Sequence, residues 1–381
     1  MGWMYHAWQG VKMKIKRVDQ YVIEMPLKHP FVTSMGREEI VPKVITAVYA
    51  DGLVGWGEAP VGAQPVYTAE TVETCWHVQH TMLIPALLGS DVARGRDAGG
   101  LFERVRGHQM AKAGLEMALW DLEGRSKGRS VSSLLGGTRV QVEVGVSVGV
   151  QDSLSMLIDR IADFWSAGYR RIKIKIKPGW DAQIVAAVRA EFPAARLMAD
   201  ANSAYSLDDA PMLRLLDDHD LIMVEQPLAY DDLLDHAQLQ AQLRTALCLD
   251  ESITTPRRAR EALALQSCRI INIKPARVGG LSAARAIHDL CLEQTVPVWC
   301  GGLLESGIGR ASNLAVASLP GFTLPGDISA TDRYWREDII EEEFVLNSDS
   351  TIDVPQGPGL GVTVLPDRLE QFAVRCEVYR A

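Results

Sequence analysis

No stretch of 18 or more apolar residues, the length a membrane helix needs, occurs in this 381-residue sequence, and its start has no basic segment leading into an apolar one. Neither export nor membrane insertion is expected. An excess of positive charge is also missing. With 39 Lys and Arg against 48 Asp and Glu the formal charge is −9, and no dense basic run breaks that background, which argues against nucleic acid as a partner. Cysteine is sparse: Cys75, Cys248, Cys268, Cys291, Cys300 and Cys376 lie scattered without a CxxC spacing. A zinc cluster or disulfide framework is therefore not expected, and a cytoplasmic location fits. What is present is ordinary for a globular chain, 47% hydrophobic and 23% charged. The length, at roughly 150 residues per domain, suits two domains or one large barrel with an appendage.

From residue 140 the chain repeats one pattern, an apolar β-branched run ending in polar residues or glycine, then an amphipathic helical stretch. The runs are 142–150, 171–176, 196–201, 221–226, 246–250, 270–274, 296–301 and 322–327. The landmarks Gly149, Lys175, Asp200, Glu225, Asp250, Lys274, Cys300 and Gly326 follow one another at 24 to 26 residues. Eight such units predict a parallel barrel of the TIM type, with its active site at the carboxyl ends of the strands. No clear eighth helix follows, because 339–364 reads as acidic, Pro/Gly-rich loop. The fold class is thus α/β, a (β/α)7β TIM-type barrel with an N-terminal α+β capping domain.

The expected boundaries are 1–12 as a poorly ordered leader, 13–138 as the cap, 139–335 as the barrel, and 336–381 as a segment returning to the cap. In the cap, alternating runs at 18–25, 41–50 and 53–58 predict strands, the last two hinged at Asp51-Gly52, and 68–88 and 112–127 predict helices.

Asp200, Glu225 and Asp250 end three successive strands in one phase and should converge. Three hard oxygen ligands without histidine suit Mg²⁺ or Mn²⁺. Acidic residues at strand ends also cap helices, which would explain one Asp but not three at a regular 25-residue spacing. Lysines flank the triad: Lys173, Lys175 and Lys177 alternate on one run, which would turn them to the barrel interior or mouth, and Lys274 ends the run opposite. A metal that chelates a substrate carboxylate, with a lysine on either side, can abstract or return the proton on the adjacent carbon.

With these motifs the sequence resembles the enolase superfamily, muconate-lactonizing branch, and more narrowly the o-succinylbenzoate synthase / N-succinylamino acid racemase family. The strings carrying the resemblance include Gly55-Trp56-Gly57-Glu58, Lys173 through Asp181, Met198 through Ser203, Glu225-Gln226-Pro227, Asp250-Glu251-Ser252, Lys274 through Gly280, and Trp299-Cys300-Gly301-Gly302. The resemblance implies Asp200, Glu225 and Asp250 as metal ligands, Lys175 and Lys274 as the acid/base pair, and Lys173 and Asn202 in support. It places Ser147, Gly302 and Leu304 along the substrate cavity, and 31–37 and 61–67 as loops closing over a small-molecule carboxylate. Arg277, three residues after Lys274, matches a position where arginine accompanies racemase-capable members, and as a nearby cation it could depress the lysine's pKa. The alternative for Arg277 is an ordinary exposed arginine. A homo-oligomer is expected.

The implied activity is o-succinylbenzoate synthase, a dehydration in menaquinone biosynthesis, with N-succinylamino acid racemase activity; a dedicated racemase is the alternative. A dipeptide epimerase should show DxD on the eighth run, where only Asp327 stands in Gly326-Asp327-Ile328. A phosphate-binding barrel using the glycines at 301–302 and 307–309, or a noncatalytic barrel, would leave the triad and the opposed lysines unexplained.

Overall fold

The structure is a computed structural model that describes residues 12–33 and 36–381. All but the last residue of the expected leader, and Ser34 and Met35 of the expected lid, lie outside the described residues.

Three long strands build the cap. β1 (Met13–Thr33), β2 (Gly36–Ala50) and β3 (Leu53–Ala59) are antiparallel neighbours, and Asp51-Gly52 turns β2 into β3 with positive φ at both residues. Behind β3 lies α1 (Gln109–Lys127). The glycines of the GWGE string explain how close that contact is. A Cβ on Gly57 would stand 1.9 Å from the carbonyl oxygen of Gly114, and one on Gly55 2.1 Å from that of Ala118. With the glycines turned to α1, alternation sends Trp56 and Glu58 to the other face, toward the barrel.

The barrel strands follow in order: β4 (Val146–Val148), β5 (Arg171–Lys175), β6 (Arg196–Asp200), β7 (Val224–Glu225), β8 (Leu247–Leu249), β9 (Ile270–Ile273) and β10 (Val298–Cys300). They form one parallel seven-stranded sheet in sequence order. Helices on its outside include α2 (Leu154–Ala167), α3 (Ala182–Glu191), α4 (Pro256–Leu265), α5 (Leu281–Glu293) and α6 (Gly307–Ala317). On α3, Ile184, Val185 and Val188 are buried, and on α5 Ala284, Ile287 and Cys291, as their spacing predicts. None of the helices among the described residues is long and apolar enough to cross a membrane.

The eighth run is not a full strand. It closes the barrel through single parallel bridges, Val298 with Phe322 and Val144 with Gly326, and through Gly145 N donating to Gly326 O at 2.8 Å. Pro320 and Pro325 offer no N–H to a ladder, which keeps the segment short. After it the chain returns to the cap, where β11 (Ala373–Arg380) pairs antiparallel with β1 from Arg17↔Arg380 to Ile23↔Ala373.

Two buried glutamates of the cap fasten it to barrel helices. Glu116 on α1 accepts from Leu281 N at 2.8 Å and Ser282 N at 3.0 Å at the start of α5, and also from the Ser282 hydroxyl and the Trp120 indole. Glu58 on β3 accepts from Ser306 N at 3.0 Å and Gly309 N at 2.9 Å at the start of α6. Each carboxylate meets free N–H groups and the positive end of a helix dipole. Glu116→Ala is expected to lose about 1–3 kcal/mol of unfolding free energy by orphaning these donors. Urea denaturation checks it, and a loss under roughly 0.5 kcal/mol, the scale of ordinary surface changes, would contradict it.

All six cysteines are free; five are buried and Cys376, on β11, is exposed. Burial raises the thiol pKa of Cys268 and of Cys291 to about 12. Native protein should therefore react with one equivalent of a thiol reagent at Cys376, and five more should appear on denaturation.

Candidate active site

Inside the barrel the side chains stack in layers. At the bottom an apolar plug gathers Met198, Met223, Cys248, Ile270 and Trp299. Above it lie ion pairs. Arg171 and Lys173 share the interior face of β5, both buried, and both reach Asp327 on the closing run, at 2.5 Å and 2.7 Å. Lys173 also lies 2.9 Å from Glu225 and 3.0 Å from Asp200. Burial works against the Lys173 ammonium, but Asp327, Glu225 and Asp200 outweigh it and hold its pKa well above the usual lysine value. The interior face of β5 thus reads Arg171, Lys173, Lys175. Lys177 is exposed, because β5 ends at Lys175 and a tight turn pairs Lys177 with Trp180.

At the mouth, Lys175 Nζ donates to Asp200 Oδ2 at 2.7 Å and to Asn202 Oδ1. Across from it Lys274 Nζ donates to Asp250 Oδ2 at 2.9 Å and to the Tyr67 hydroxyl at 2.8 Å. Between them Asn272 Nδ2 donates to Glu225 Oε1 at 2.7 Å, and Asn202 Nδ2 to Glu251 Oε1 at 3.0 Å. The second Glu251 oxygen is buried without a partner. Backbone strain concentrates here: Asn202, Ser203, Gln226 and Leu304 have φ between 36° and 62° without being glycine.

The proposed triad is thus brought together at three neighbouring strand ends, with its oxygens shared among ammonium and guanidinium groups. Among the described residues no three of His, Cys, Asp or Glu are gathered closely enough to grip a metal ion as they stand. Arg277 is not the exposed arginine of the alternative reading. It is 2% exposed, pairs with Asp250, and donates to Ile253 O at 2.9 Å and Asn272 O at 2.7 Å. Nor is Lys274 depressed in this arrangement. Burial lowers it, but Tyr67 and the carboxylates of Glu225 and Glu251 outweigh that and leave it above the ordinary lysine value.

A cleft of 540 Å³ opens over this floor. Lys175, Asn202 and Lys274 form its base, Gly302, Leu303 and Leu304 one wall, and Phe31, Gly36–Pro42, Pro60–Gln64 and Val66–Thr68 its roof. The first lid is a two-stranded arm and not a loop, since Phe31 pairs with Glu38 and Val32 with Arg37. Its tip meets the barrel where Val150 N donates to Val32 O at 3.1 Å, a contact that Gly149 permits because a Cβ there would stand 2.3 Å from the same oxygen. Ser147 does not line the cleft. It pairs with Lys173 in the sheet and its buried Oγ has no partner.

Sequence reasoning left Tyr67, Arg171, Asp327, Asn272 and Glu251 without these contacts. Arg171 had a signal, standing two residues before Lys173 in the same phase. Tyr67 ends the lid expected over 61–67, but nothing in the sequence joined it to Lys274, 207 positions away.

The family model for the mandelate racemase / muconate lactonizing enzyme N-terminal domain matches residues 17–136, and the enolase C-terminal domain-like model matches 156–368. The chain is 47% identical to an o-succinylbenzoate synthase of Geobacillus stearothermophilus, over 94% of this chain and 97% of that protein. It is 45% identical to an N-succinylamino acid racemase of an Amycolatopsis species, again over 94% and 97%. A solved structure of an enolase-superfamily member from Listeria innocua superposes with a TM-score of 0.93 at 39% identity, covering 97% of this chain and 99% of that one. Opposed lysines and strand-end carboxylates under a two-part cap thus coincide with full-length similarity, and the chain belongs to the mandelate racemase / muconate lactonizing enzyme family of the enolase superfamily.

Proposed function

We propose that this enzyme abstracts the proton α to a carboxylate, acting as an o-succinylbenzoate synthase that also racemises N-succinylamino acids. The observation that carries the reading is the pair of buried lysines, Lys175 and Lys274, on β5 and at the end of β9, facing one cleft floor with carboxylates between them. In the dehydration, one lysine takes the α-proton and then, as its ammonium, assists hydroxide to leave from the same face. In racemisation one lysine takes the proton and the other delivers a proton to the opposite face. Lys173 keeps Asp200 and Glu225 in place, and the arm and Tyr67 keep water from the carbanionic carbon.

The donor set fits a hard divalent cation. Asp200, Glu225 and Asp250 present only carboxylate oxygens, and the unpartnered Glu251 oxygen lies beside them. When bound, Mg²⁺ or Mn²⁺ supplies concentrated positive charge where the substrate carboxylate gains negative charge as the α-proton leaves.

A dedicated N-succinylamino acid racemase is the second reading, favoured by the presence of a lysine on each side. A dipeptide epimerase is disfavoured, because Asp327 is engaged by Arg171 and Lys173 and is not free to meet an α-ammonium group. The test is a parallel assay of the dehydration substrate and a series of N-succinylamino acids with Mg²⁺ or Mn²⁺. Dehydration with measurable racemisation is expected; racemisation alone selects the second reading, and turnover of neither rejects both.

A further inference from the structure

Lys43 lies on β2, in the cap, and is 0% exposed. A fully buried ammonium is costly unless it does something that an apolar side chain could not. Its Nζ donates to the backbone carbonyl of Leu304 at 2.6 Å and stands 4.7 Å from the centre of the Trp335 ring, with the carboxylates of Glu58, Glu305 and Asp338 around it. Leu304 belongs to the cleft wall and has φ of 55°, a conformation leucine adopts only under constraint. The neighbours of Leu304 are fixed by other groups: Gly301 N by Asn272 at 2.8 Å, Leu303 N by Glu305 at 2.7 Å, and Glu305 O by the Trp335 indole at 3.1 Å. Among the described residues, the hydrogen bond that fixes Leu304 itself comes from Lys43.

Position gives this contact its meaning. The same strand that carries Lys43 supplies the roof of the cleft from Gly36 to Pro42, just ahead of it. Lys43 therefore ties roof to wall, above a floor that holds the lysines. On the reading above, on which this inference rests, the reacting carbon sits at the floor, and only the remote part of the substrate meets the wall. We propose that Lys43 is a positioning residue for substrate selection: by holding the Leu304 carbonyl it keeps the wall in the left-handed conformation that fits the part of the substrate far from the reacting carboxylate.

The experiment is a double-mutant cycle read as kcat and KM for α-proton exchange of N-succinylamino acids in D₂O. Lys43→Met is expected to raise KM about tenfold, the scale of a misfitted pocket contact, while kcat changes by less than roughly threefold. Leu304→Gly also raises KM, because it removes a wall side chain. Glycine adopts positive φ without restraint, so adding Lys43→Met in that background should raise KM by less than about twofold. An independent tenfold effect there, a fall in kcat at constant KM, or no effect of Lys43→Met on KM would each overturn the proposal.

Should Lys43→Met fail to fold because Glu58 loses a neighbouring positive charge, Lys43→Met/Glu58→Gln is compared with Glu58→Gln alone, and the same KM difference is expected. If the wild type exchanges none of these substrates, the racemase part of the functional reading falls, and the Lys43 assignment is decided separately by crystal structures of wild type and variant. Leu304 should leave the left-handed region in the variant; an unmoved Leu304 overturns the assignment.

Discussion

Lys274→Ala is expected to lower turnover by about 10²- to 10⁴-fold, the usual contribution of a positioned acid or base, and Lys175→Ala by a similar factor. Neither change should unfold the protein, because each deleted ammonium leaves its carboxylate a second cation. Asp250 keeps Arg277, and Asp200 keeps Lys173 at 3.0 Å. The two variants should differ by face. The lysines rise from β5 and from the end of β9, opposite one another in the barrel, so on the proposed mechanism each should address one enantiomer of an N-succinylamino acid. In D₂O, Lys175→Ala should abolish α-proton exchange for one enantiomer and Lys274→Ala for its mirror image. Loss of exchange with both enantiomers in both variants, with substrate still bound, would reassign one lysine to electrostatic support. Near-wild-type turnover in either variant would remove that lysine from the mechanism.

The second large effect is expected on removing divalent cations: chelator-treated enzyme should lose activity by about 10²-fold or more and recover it with Mg²⁺ or Mn²⁺, since the build-up of charge on the substrate carboxylate then lacks its strongest compensation. Calorimetric titration gives a readout independent of turnover. Mg²⁺ should bind the wild type, and Asp200→Asn or Asp250→Asn should weaken binding, because a neutral amide replaces a hard anionic ligand. Full turnover in protein shown to be metal-free would refute the assignment of Asp200, Glu225 and Asp250. Replacing Glu251, whose Oε2 has no partner in the structure, tests whether the fourth carboxylate belongs to the ligand set.

The barrel was legible because each unit repeats the same physical demand, a buried apolar strand that ends on a polar residue, and because parallel register carries that phase from strand to strand. Lys175↔Asp200 and Asp200↔Glu225 are register partners, so their spacing in sequence became adjacency in space. The signal faded where local pattern and tertiary pairing part. The run after Phe322 looked like its predecessors but carries Pro325, and only bridges form. Strand β11 escaped notice because Val374, Cys376 and Val378 alternate on an exposed face, so no buried stripe marked it. Of the site, the residues in phase with the strand ends were legible. Tyr67, delivered by the cap, and the burial of Arg277 depend on how two distant parts of the chain meet, which no local spacing encodes. The same holds for the sharing of carboxylates among lysines, since a list of ligands does not say which cation occupies them.

The pairing of β11 with β1 also orders events during synthesis. The sheet that bears the roof of the cleft starts with residue 13 and gains its outer strand only from residues 373–380, after every barrel strand has been translated. A nascent chain can assemble β1 to β3 and much of the barrel, yet β1 keeps an open hydrogen-bonding edge until the final segment emerges. Open edges recruit other strands, so during this interval the growing chain is exposed to mispairing with its neighbours on a polysome.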